Sequence, residues 1–214
     1  MKILFTGDSI TDMGRNRTTN YQYDSLGANY TFFIAGELGV KEPNKYQILT
    51  RGISGNRIVD LYARFRADGL NDFPDVISIL IGVNDVWHGI AGNNGVPIEI
   101  YERFYNMIID DTRKEFPHIK FMILEPFILK GSATQEKFEQ FKMVYEYAKI
   151  AKKVANEKGC VFVPLQDVLS KKAEKDGAET YLYDGVHPSV AGAKIIADEW
   201  LRVFEKEIKQ EVKL

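Results

Sequence analysis

Short apolar runs alternate with longer amphipathic stretches along this chain, and that alternation limits the fold more than any other feature of the sequence. The runs have the length of single strands, are rich in Ile, Val, Phe and Leu, and are bounded by Gly or Pro. Apolar strands separated by helices are typical of a parallel sheet covered on both faces. The predicted strands are Lys2–Thr6, Tyr46–Thr50, Val76–Ile81, Lys120–Leu124 and Val161–Val163.

The stretches between these strands carry the spacing of amphipathic helices. Apolar side chains recur at i, i+3, i+4 and i+7 within residues 58–65 and again within residues 101–108. A longer helix is predicted from about residue 133 to residue 158, ended by Gly159, and a last helix follows Pro188. We therefore predict a three-layer α/β/α fold around a five-stranded parallel sheet, with all 214 residues in a single domain.

Composition and charge argue against several classes of protein. The net charge of −2, with acidic and basic residues nearly balanced, does not suit a nucleic-acid-binding protein. Cys160 is the only cysteine, so no disulfide can form within the chain. The apolar run near Met1 is too short for a signal peptide, and no run approaches the roughly 20 residues of a membrane span. These observations predict a cytoplasmic protein that binds neither nucleic acid nor membrane.

Four segments carry side chains suited to catalysis. Right-handed crossovers place the loops that follow parallel strands at one edge of the sheet, where open α/β sheets bind ligands. We expect the segments to meet at that edge. They are GDSIT (7–11) after the first strand, RGISGN (51–56) after the second, GVND (82–85) after the third, and DGVHP (184–188) near the C-terminus.

A catalytic serine needs a base that removes its proton, and a third group that orients the base. Histidine is the usual base because its protonation changes near neutral pH. His118 precedes the fourth strand, at the wrong edge of the sheet, and His88 lacks a carboxylate in an obvious orienting position. His187 follows Asp184 by three residues across a glycine, which is compatible with a turn in which the carboxylate hydrogen-bonds the ring. Elimination therefore favours His187.

Acyl transfer also needs hydrogen-bond donors for the oxyanion of the tetrahedral intermediate. The glycines of the second segment permit close approach of the backbone. Asn84 offers an amide NH₂ group just beyond a buried strand. Gly and Asn are also common in ordinary turns, so each residue alone leaves that interpretation open. The four segments together are much more specific.

The residues and the order of these segments resemble the four blocks of the SGNH (GDSL) hydrolase superfamily, over residues 5–192. The resemblance implies a serine esterase with a flavodoxin-like fold and no metal or cofactor. Gly55 stands in the I-S-G-[ND] form that the family uses, which favours it over Gly52. Carried over residue by residue, the resemblance implies a nucleophile, Ser9, a triad completed by Asp184 and His187, and an oxyanion hole of Ser9, Gly55 and Asn84.

A narrower resemblance concerns the acyl group. GDSITDMGR, RGISGN, IGVNDVWH and DGVHPSVAG are similar to bacterial carbohydrate esterases, among them the acetylxylan esterases. In that subgroup a Trp after G-x-N-D-V borders a pocket with room for acetyl, so the resemblance implies a substrate pocket that includes Asp8 and Trp87. The alternative is that Trp87 only covers the N-terminus of the third helix.

We therefore expect hydrolysis of short-chain acyl esters, above all O-acetyl groups on sugars, through an acyl-enzyme on Ser9. The expected partner is a small-molecule ester or an acetylated oligosaccharide. Related carbohydrate esterases often form homo-oligomers, which leaves self-association open. The alternatives are a lysophospholipase or thioesterase of the same superfamily, and a carbohydrate-binding protein without catalytic activity.

Two segments depart from the simplest pattern of this superfamily. A polar insert spans residues 12–27, and the glycine-rich segment 89–95 is predicted to be a flexible loop. Both lie at the active edge, where they shape substrate access. The tyrosines of Tyr21-Gln22-Tyr23 and Tyr30 are candidates either for stacking on sugar rings or for a subunit contact.

Overall fold

The computed structural model describes residues 1–20 and 23–209, and its centre is a five-stranded sheet with strand order β2-β1-β3-β4-β5. All four strand pairs are parallel. This is the strand order of flavodoxin-like sheets, so the predicted α/β fold is confirmed. The strands are β1 (Lys2–Gly7), β2 (Gln47–Gly52), β3 (Val76–Leu80), β4 (Lys120–Leu124) and β5 (Val161–Val163).

Helices cover both faces of the sheet. Helices α2, α8 and α9 pack together in one layer, and α3, α5 and α7 pack together in the other. Among the described residues, no helix is both long enough and apolar enough to cross a membrane. The helices are α1 (Ser9–Asp12), α2 (Tyr30–Lys41), α3 (Ile58–Asp68), α4 (Val83–Gly92), α5 (Ile98–Glu115), α6 (Phe138–Phe141), α7 (Met143–Glu157), α8 (Gln166–Asp176) and α9 (Val190–Glu207).

Large aromatic side chains fill the core between β1, α2 and α9. The ring centroid of Phe5 lies 5.8 Å from that of Tyr30 and 5.0 Å from that of Trp200. The indole N–H of Trp200 donates to Ser78 Oγ at 3.0 Å, which satisfies the polar atom of this buried ring. This packing attaches α2 and α9 to the central strands.

Tyr30 is a core residue, so its prediction as a sugar-stacking or subunit-contact side chain is wrong. Its side chain is fully buried, and its hydroxyl lies 3.0 Å from Thr11 Oγ1. Tyr21 and Gln22 of the same prediction lie outside the described residues. Tyr23 begins a short 3₁₀ helix and is 79% exposed.

The long helix predicted over residues 133–158 is wrong in its first third. The chain instead forms a 3₁₀ turn, the short α6, and then α7 after a break at Lys142. Thr134 is buried, and its Oγ1 donates to the Leu129 carbonyl at 2.7 Å and accepts from Gly131 N–H at 2.9 Å. These side-chain hydrogen bonds favour a loop over a helix, because the Thr134 hydroxyl bonds backbone groups of Leu129 and Gly131 in place of helical backbone hydrogen bonds.

The glycine-rich segment 89–95 is shorter as a loop than predicted. Helix α4 continues through Gly92, and Asn93 ends it in the left-handed conformation at φ 52°. The Asn93 N–H donates to the Gly89 carbonyl at 3.3 Å. Asn tolerates this conformation better than most residues, and it is a common way to end a helix.

Candidate active site

Ser9 stands at the first position of α1, two residues after the end of β1. Asp8 is the N-cap of α1, and its Oδ1 accepts a hydrogen bond from Ile10 N–H at 2.9 Å. Gly7 has φ 153°, and a Cβ added there would lie 2.0 Å from the Leu80 carbonyl oxygen. The turn from strand to helix therefore requires glycine at this position, and it brings Ser9 to the carboxyl edge of the sheet.

Ser9, His187 and Asp184 form a continuous hydrogen-bonded chain. Ser9 Oγ lies 2.8 Å from His187 Nε2, and His187 Nδ1 lies 2.6 Å from Asp184 Oδ2. Asp184 Oδ1 accepts from the backbone N–H of Val186 at 2.9 Å and of His187 at 2.7 Å. Since an ionised carboxylate only accepts hydrogen bonds, this network assigns the proton to Nδ1 and leaves Nε2 to accept from Ser9.

A closed turn sets the spacing of Asp184 and His187. Gly185 has φ 98°, and a Cβ added there would lie 2.5 Å from the Leu129 carbonyl oxygen. The Tyr183 N–H donates to the His187 carbonyl at 3.1 Å, which closes the turn behind the two side chains. The acid and the base are therefore held on one rigid piece of backbone.

The surroundings of Asp184 and His187 shift the pKa values of both side chains in the direction that an acid–base pair requires. The hydrogen bond with Asp184 raises the pKa of His187 above its ordinary value, against the opposing effect of burial. Burial alone would raise the pKa of Asp184, but hydrogen bonds from His187 and Val186 bring it below its ordinary value. Asp184 is therefore ionised at neutral pH and stabilises the protonated form of His187.

Gly55 stands in the turn after β2, and Asn84 is the second residue of α4. Gly55 has φ 82° and open space around it, and its N–H has no acceptor within the described part of the chain. Asn84 is 6% exposed, and its Nδ2 donates to the Asn56 carbonyl at 3.1 Å. The Asn84 amide keeps a second N–H for another acceptor. Both residues thus have a donor that an oxyanion could use.

Gly52, the rival of Gly55, has a packing function. It pairs with Gly7 in the β1–β2 ladder, and a Cβ added there would lie 2.4 Å from the Asp12 nitrogen. The next residue, Ile53, donates its N–H to the Gly7 carbonyl at 3.1 Å. Gly52 therefore allows α1 to approach β2 closely, whereas Gly55 stands in the open turn beyond the strand.

Asp12 and Arg64 support the loops around Ser9 and Gly55. The sequence did not predict their contacts. Asp12 Oδ2 accepts from the backbone N–H and the hydroxyl of Ser54, at 3.0 and 2.8 Å. Arg64 donates to the Gly7 carbonyl at 2.9 Å and to Asn56 Oδ1 at 2.6 Å. Asp12 and Ser54 are 42 residues apart and Arg64 and Gly7 are 57 residues apart, so helical periodicity and turn patterns carry no signal for these two contacts.

Two carboxyl groups are buried beneath the site. Asp8 and Asp85 are each 1% exposed, and burial raises the pKa of Asp8 to about 7 and that of Asp85 well above its ordinary value. Asp85 accepts the Ile58 N–H at 3.0 Å, whereas Asp8 Oδ2 has no hydrogen-bond partner among the described residues. Asp8 thus caps α1 behind the nucleophile, and its contact with substrate stays a prediction.

Trp87 lies beside the imidazole of His187. The two ring centroids are 6.1 Å apart, with the planes inclined at 50°. Phe141 of α6 packs edge-on against the same indole at 5.5 Å. Trp87 stands three residues after Asn84 on α4, so both side chains lie on the same helix face. Trp87 thus contacts the His187 ring, and its place in an acyl pocket stays a prediction.

A parallel α/β sheet with a serine, a histidine and an aspartate joined at its carboxyl edge has the architecture of the α/β-fold serine hydrolases. Comparison with protein families matches residues 5–195 to the GDSL-like Lipase/Acylhydrolase family. The chain belongs to this family, and it is a carboxylic-ester hydrolase. The predicted SGNH (GDSL) membership is confirmed.

Several known proteins resemble the chain over most of its length. The acetylxylan esterase of Geobacillus stearothermophilus is 33% identical over 208 residues, 94% of this chain and 92% of that protein. The crystal structure of that esterase superposes on this chain with a TM-score of 0.84 at 31% identity. The superposition covers 94% of this chain and 93% of that chain. Solved catalytic mutants of that enzyme replace a serine, an aspartate or a histidine with alanine.

Two further relatives widen the comparison. The crystal structure of a protein described as a GDSL-like lipase, from Parabacteroides merdae, has a TM-score of 0.90 at 36% identity and covers 95% of each chain. The isoamyl acetate-hydrolyzing esterase of Saccharomyces cerevisiae is 28% identical over 226 residues, 95% of this chain and 86% of that protein.

Proposed function

We propose that this esterase removes short acyl groups, above all O-acetyl groups, from carbohydrate substrates through an acyl-enzyme on Ser9. The observation that carries the proposal is the hydrogen-bonded chain from Ser9 Oγ through His187 to Asp184, at 2.8 and 2.6 Å. A serine hydroxyl becomes nucleophilic when an oriented base accepts its proton. Here His187 is the base, and Asp184 is the group that orients it.

The acylation step follows from this geometry. His187 Nε2 takes the proton of Ser9 Oγ as the oxygen attacks the ester carbonyl. The carbonyl oxygen becomes an oxyanion, which accepts hydrogen bonds from the N–H groups of Ser9 and Gly55 and from the amide of Asn84. The imidazolium then gives its proton to the leaving alcohol, and the C–O bond to that alcohol breaks. Ser9 now carries the acyl group.

Deacylation repeats the same steps with water. His187 Nε2 takes a proton from water, and the hydroxyl oxygen attacks the acyl carbonyl. The same donors stabilise the second oxyanion. When the tetrahedral intermediate collapses, His187 returns its proton to Ser9 Oγ and the free acid leaves. Asp184 stays ionised throughout and stabilises each imidazolium.

The preference for acetyl rests on Trp87 and on the relatives. The indole stands on the face of α4 that also carries Asn84, so it borders the space beside the proposed oxyanion hole. Two relatives are named for the acetate esters acetylxylan and isoamyl acetate. The alcohol parts of these two esters are very different. Acetyl is the part that those esters share. The direct test is release of acetate from acetylated xylo-oligosaccharides by the purified protein.

We expect Asn84→Ala to lower kcat by about 10²- to 10³-fold, because losing one oxyanion donor costs about 2.7–4 kcal/mol in the transition state. KM should change little, since the ground-state carbonyl depends less on this donor. Steady-state kinetics on p-nitrophenyl acetate measure both constants. Asn106→Ala on α5 is the matched control and should keep wild-type kinetics. An unchanged kcat in Asn84→Ala would remove Asn84 from the oxyanion hole.

We expect Trp87→Ala to relax the limit on acyl-chain length. Wild type should prefer acetate to butyrate by tenfold or more, because each methylene that meets a pocket wall is worth about 1–3 kcal/mol. The variant should raise the butyrate-to-acetate ratio of kcat/KM by about tenfold, and Trp87→Phe should give an intermediate ratio. Phe73→Ala, at a 69% exposed ring, is the control that should leave the ratio unchanged. Wild-type rates that rise from C2 to C8 would instead favour the lysophospholipase or thioesterase alternative.

A further inference from the structure

Tyr183 is an aromatic side chain at the active site to which the proposed reaction assigns no role. Its ring stacks on the imidazole of His187, with centroids 5.8 Å apart and planes inclined at 17°. The side chain is nevertheless exposed, with 52% of its surface open to solvent. The Tyr183 backbone N–H closes the turn that holds Asp184 and His187. The same turn therefore fixes the backbone of Tyr183 relative to these two residues.

The two aromatic rings near His187 stand on different parts of the chain. Trp87 belongs to α4 together with Asn84, a residue of the proposed oxyanion hole. Tyr183 belongs to the turn of the acid and the base. The acyl group remains with the carbonyl, whereas the leaving oxygen must approach His187 Nε2 to receive its proton. The group attached to that oxygen therefore extends past the imidazole, on which Tyr183 is stacked.

From this placement we propose that Tyr183 binds the sugar ring of the leaving group and so determines which alcohols the esterase releases. The proposal rests on the proposed carbohydrate esterase function. A pyranose ring has a flat face of C–H groups that packs well on an aromatic ring, and the tyrosine hydroxyl can hydrogen-bond a sugar hydroxyl. A small alkyl alcohol such as ethanol is too short to cover the tyrosine ring. Tyr183 should thus distinguish between acetate esters by their alcohol and not by their acyl group.

The test compares two acetate esters with wild type and Tyr183 variants. The substrates are the triacetate of methyl β-D-xylopyranoside and ethyl acetate, with acid release followed by titration at constant pH. Tyr183→Ala should raise KM for the acetylated xyloside about tenfold, a loss of about 1.4 kcal/mol, which is near the upper end of what an aromatic contact contributes. Its kinetics on ethyl acetate should stay within about twofold of wild type. Tyr183→Phe and Tyr183→Trp should keep most of the affinity, because they keep a ring.

Three kinetic results would overturn the proposal. Equal loss of kcat on both esters in Tyr183→Ala would mean that the ring only orients His187. Unchanged KM for the xyloside would mean that the sugar does not contact it. A raised KM in Tyr23→Ala instead, at the 79% exposed tyrosine of the insert, would move the sugar contact to that segment. Wild type that hydrolyses ethyl acetate but no acetylated sugar would contradict the proposed function itself.

A binding measurement makes the test independent of turnover. In a Ser9→Ala background the xyloside triacetate is consumed too slowly to disturb a titration, so its Kd can be measured by calorimetry. Adding Tyr183→Ala to this background should weaken binding by about the same tenfold. Thermal melting of each variant shows whether it is folded. An equal Kd with and without the tyrosine ring would also overturn the proposal.

Discussion

Ser9→Ala should lower kcat/KM for acetate esters by about 10⁴- to 10⁶-fold, the scale of loss when a serine hydrolase loses its nucleophile. The residual rate comes from the oxyanion donors and from substrate positioning, which the substitution leaves in place. KM should change little, because the methylene and hydroxyl of one serine contribute little to substrate binding. Initial rates on p-nitrophenyl acetate measure the loss, and a fluorophosphonate probe should label the wild type at Ser9 but not the variant.

The matched control for this substitution is Ser132→Ala, at an exposed serine in the loop before α6. It should retain wild-type rates and full labelling by the probe. Wild-type rates in Ser9→Ala would contradict the proposed mechanism. Absence of labelling in the wild type, together with measurable sugar binding, would instead favour the carbohydrate-binding alternative.

Asp184→Asn should lower kcat by about 10⁴-fold while keeping the shape of the site. An amide at this position donates a hydrogen bond to His187 Nδ1, so the imidazole proton moves to Nε2. Nε2 then points its proton at Ser9 and cannot accept the hydroxyl proton. Asp198→Asn on α9, whose side chain is 57% exposed, is the control and should leave kcat unchanged.

The pH profile of Asp184→Asn provides a second readout. Neutral His187 is the active base, so activity is lost as the pH falls through its pKa. The hydrogen bond with Asp184 raises that pKa in the wild type, so wild-type activity should fall at a higher pH than for an ordinary histidine. Removing the carboxylate lowers the pKa, and the acid limb of kcat/KM should move to lower pH. An acid limb that stays in place would mean that another group titrates there.

The strands and the site segments could be predicted because they depend on local sequence. Each strand is a short apolar run bounded by residues that end it, and parallel connections put the following loops at one edge. The region before α7 could not be predicted in this way. Its apolar spacing suits a helix, but the side chain of Thr134 makes loop hydrogen bonds that depend on the neighbouring chain. Tyr30 likewise stands near a polar insert, yet packing against Phe5 buries it.

The sequence by itself determined the fold class, the hydrolase family and the candidate residues Ser9, Asp184 and His187, because motif residues and strand patterns are local properties of a chain. Only the tertiary structure decided how those residues meet. Ser9 and His187 are 178 residues apart in the chain. Their 2.8 Å contact depends on the strand order of the sheet and on the closed turn at Asp184. The stacking of Tyr183 on His187 is of the same kind, since side-chain orientation follows from packing and not from spacing.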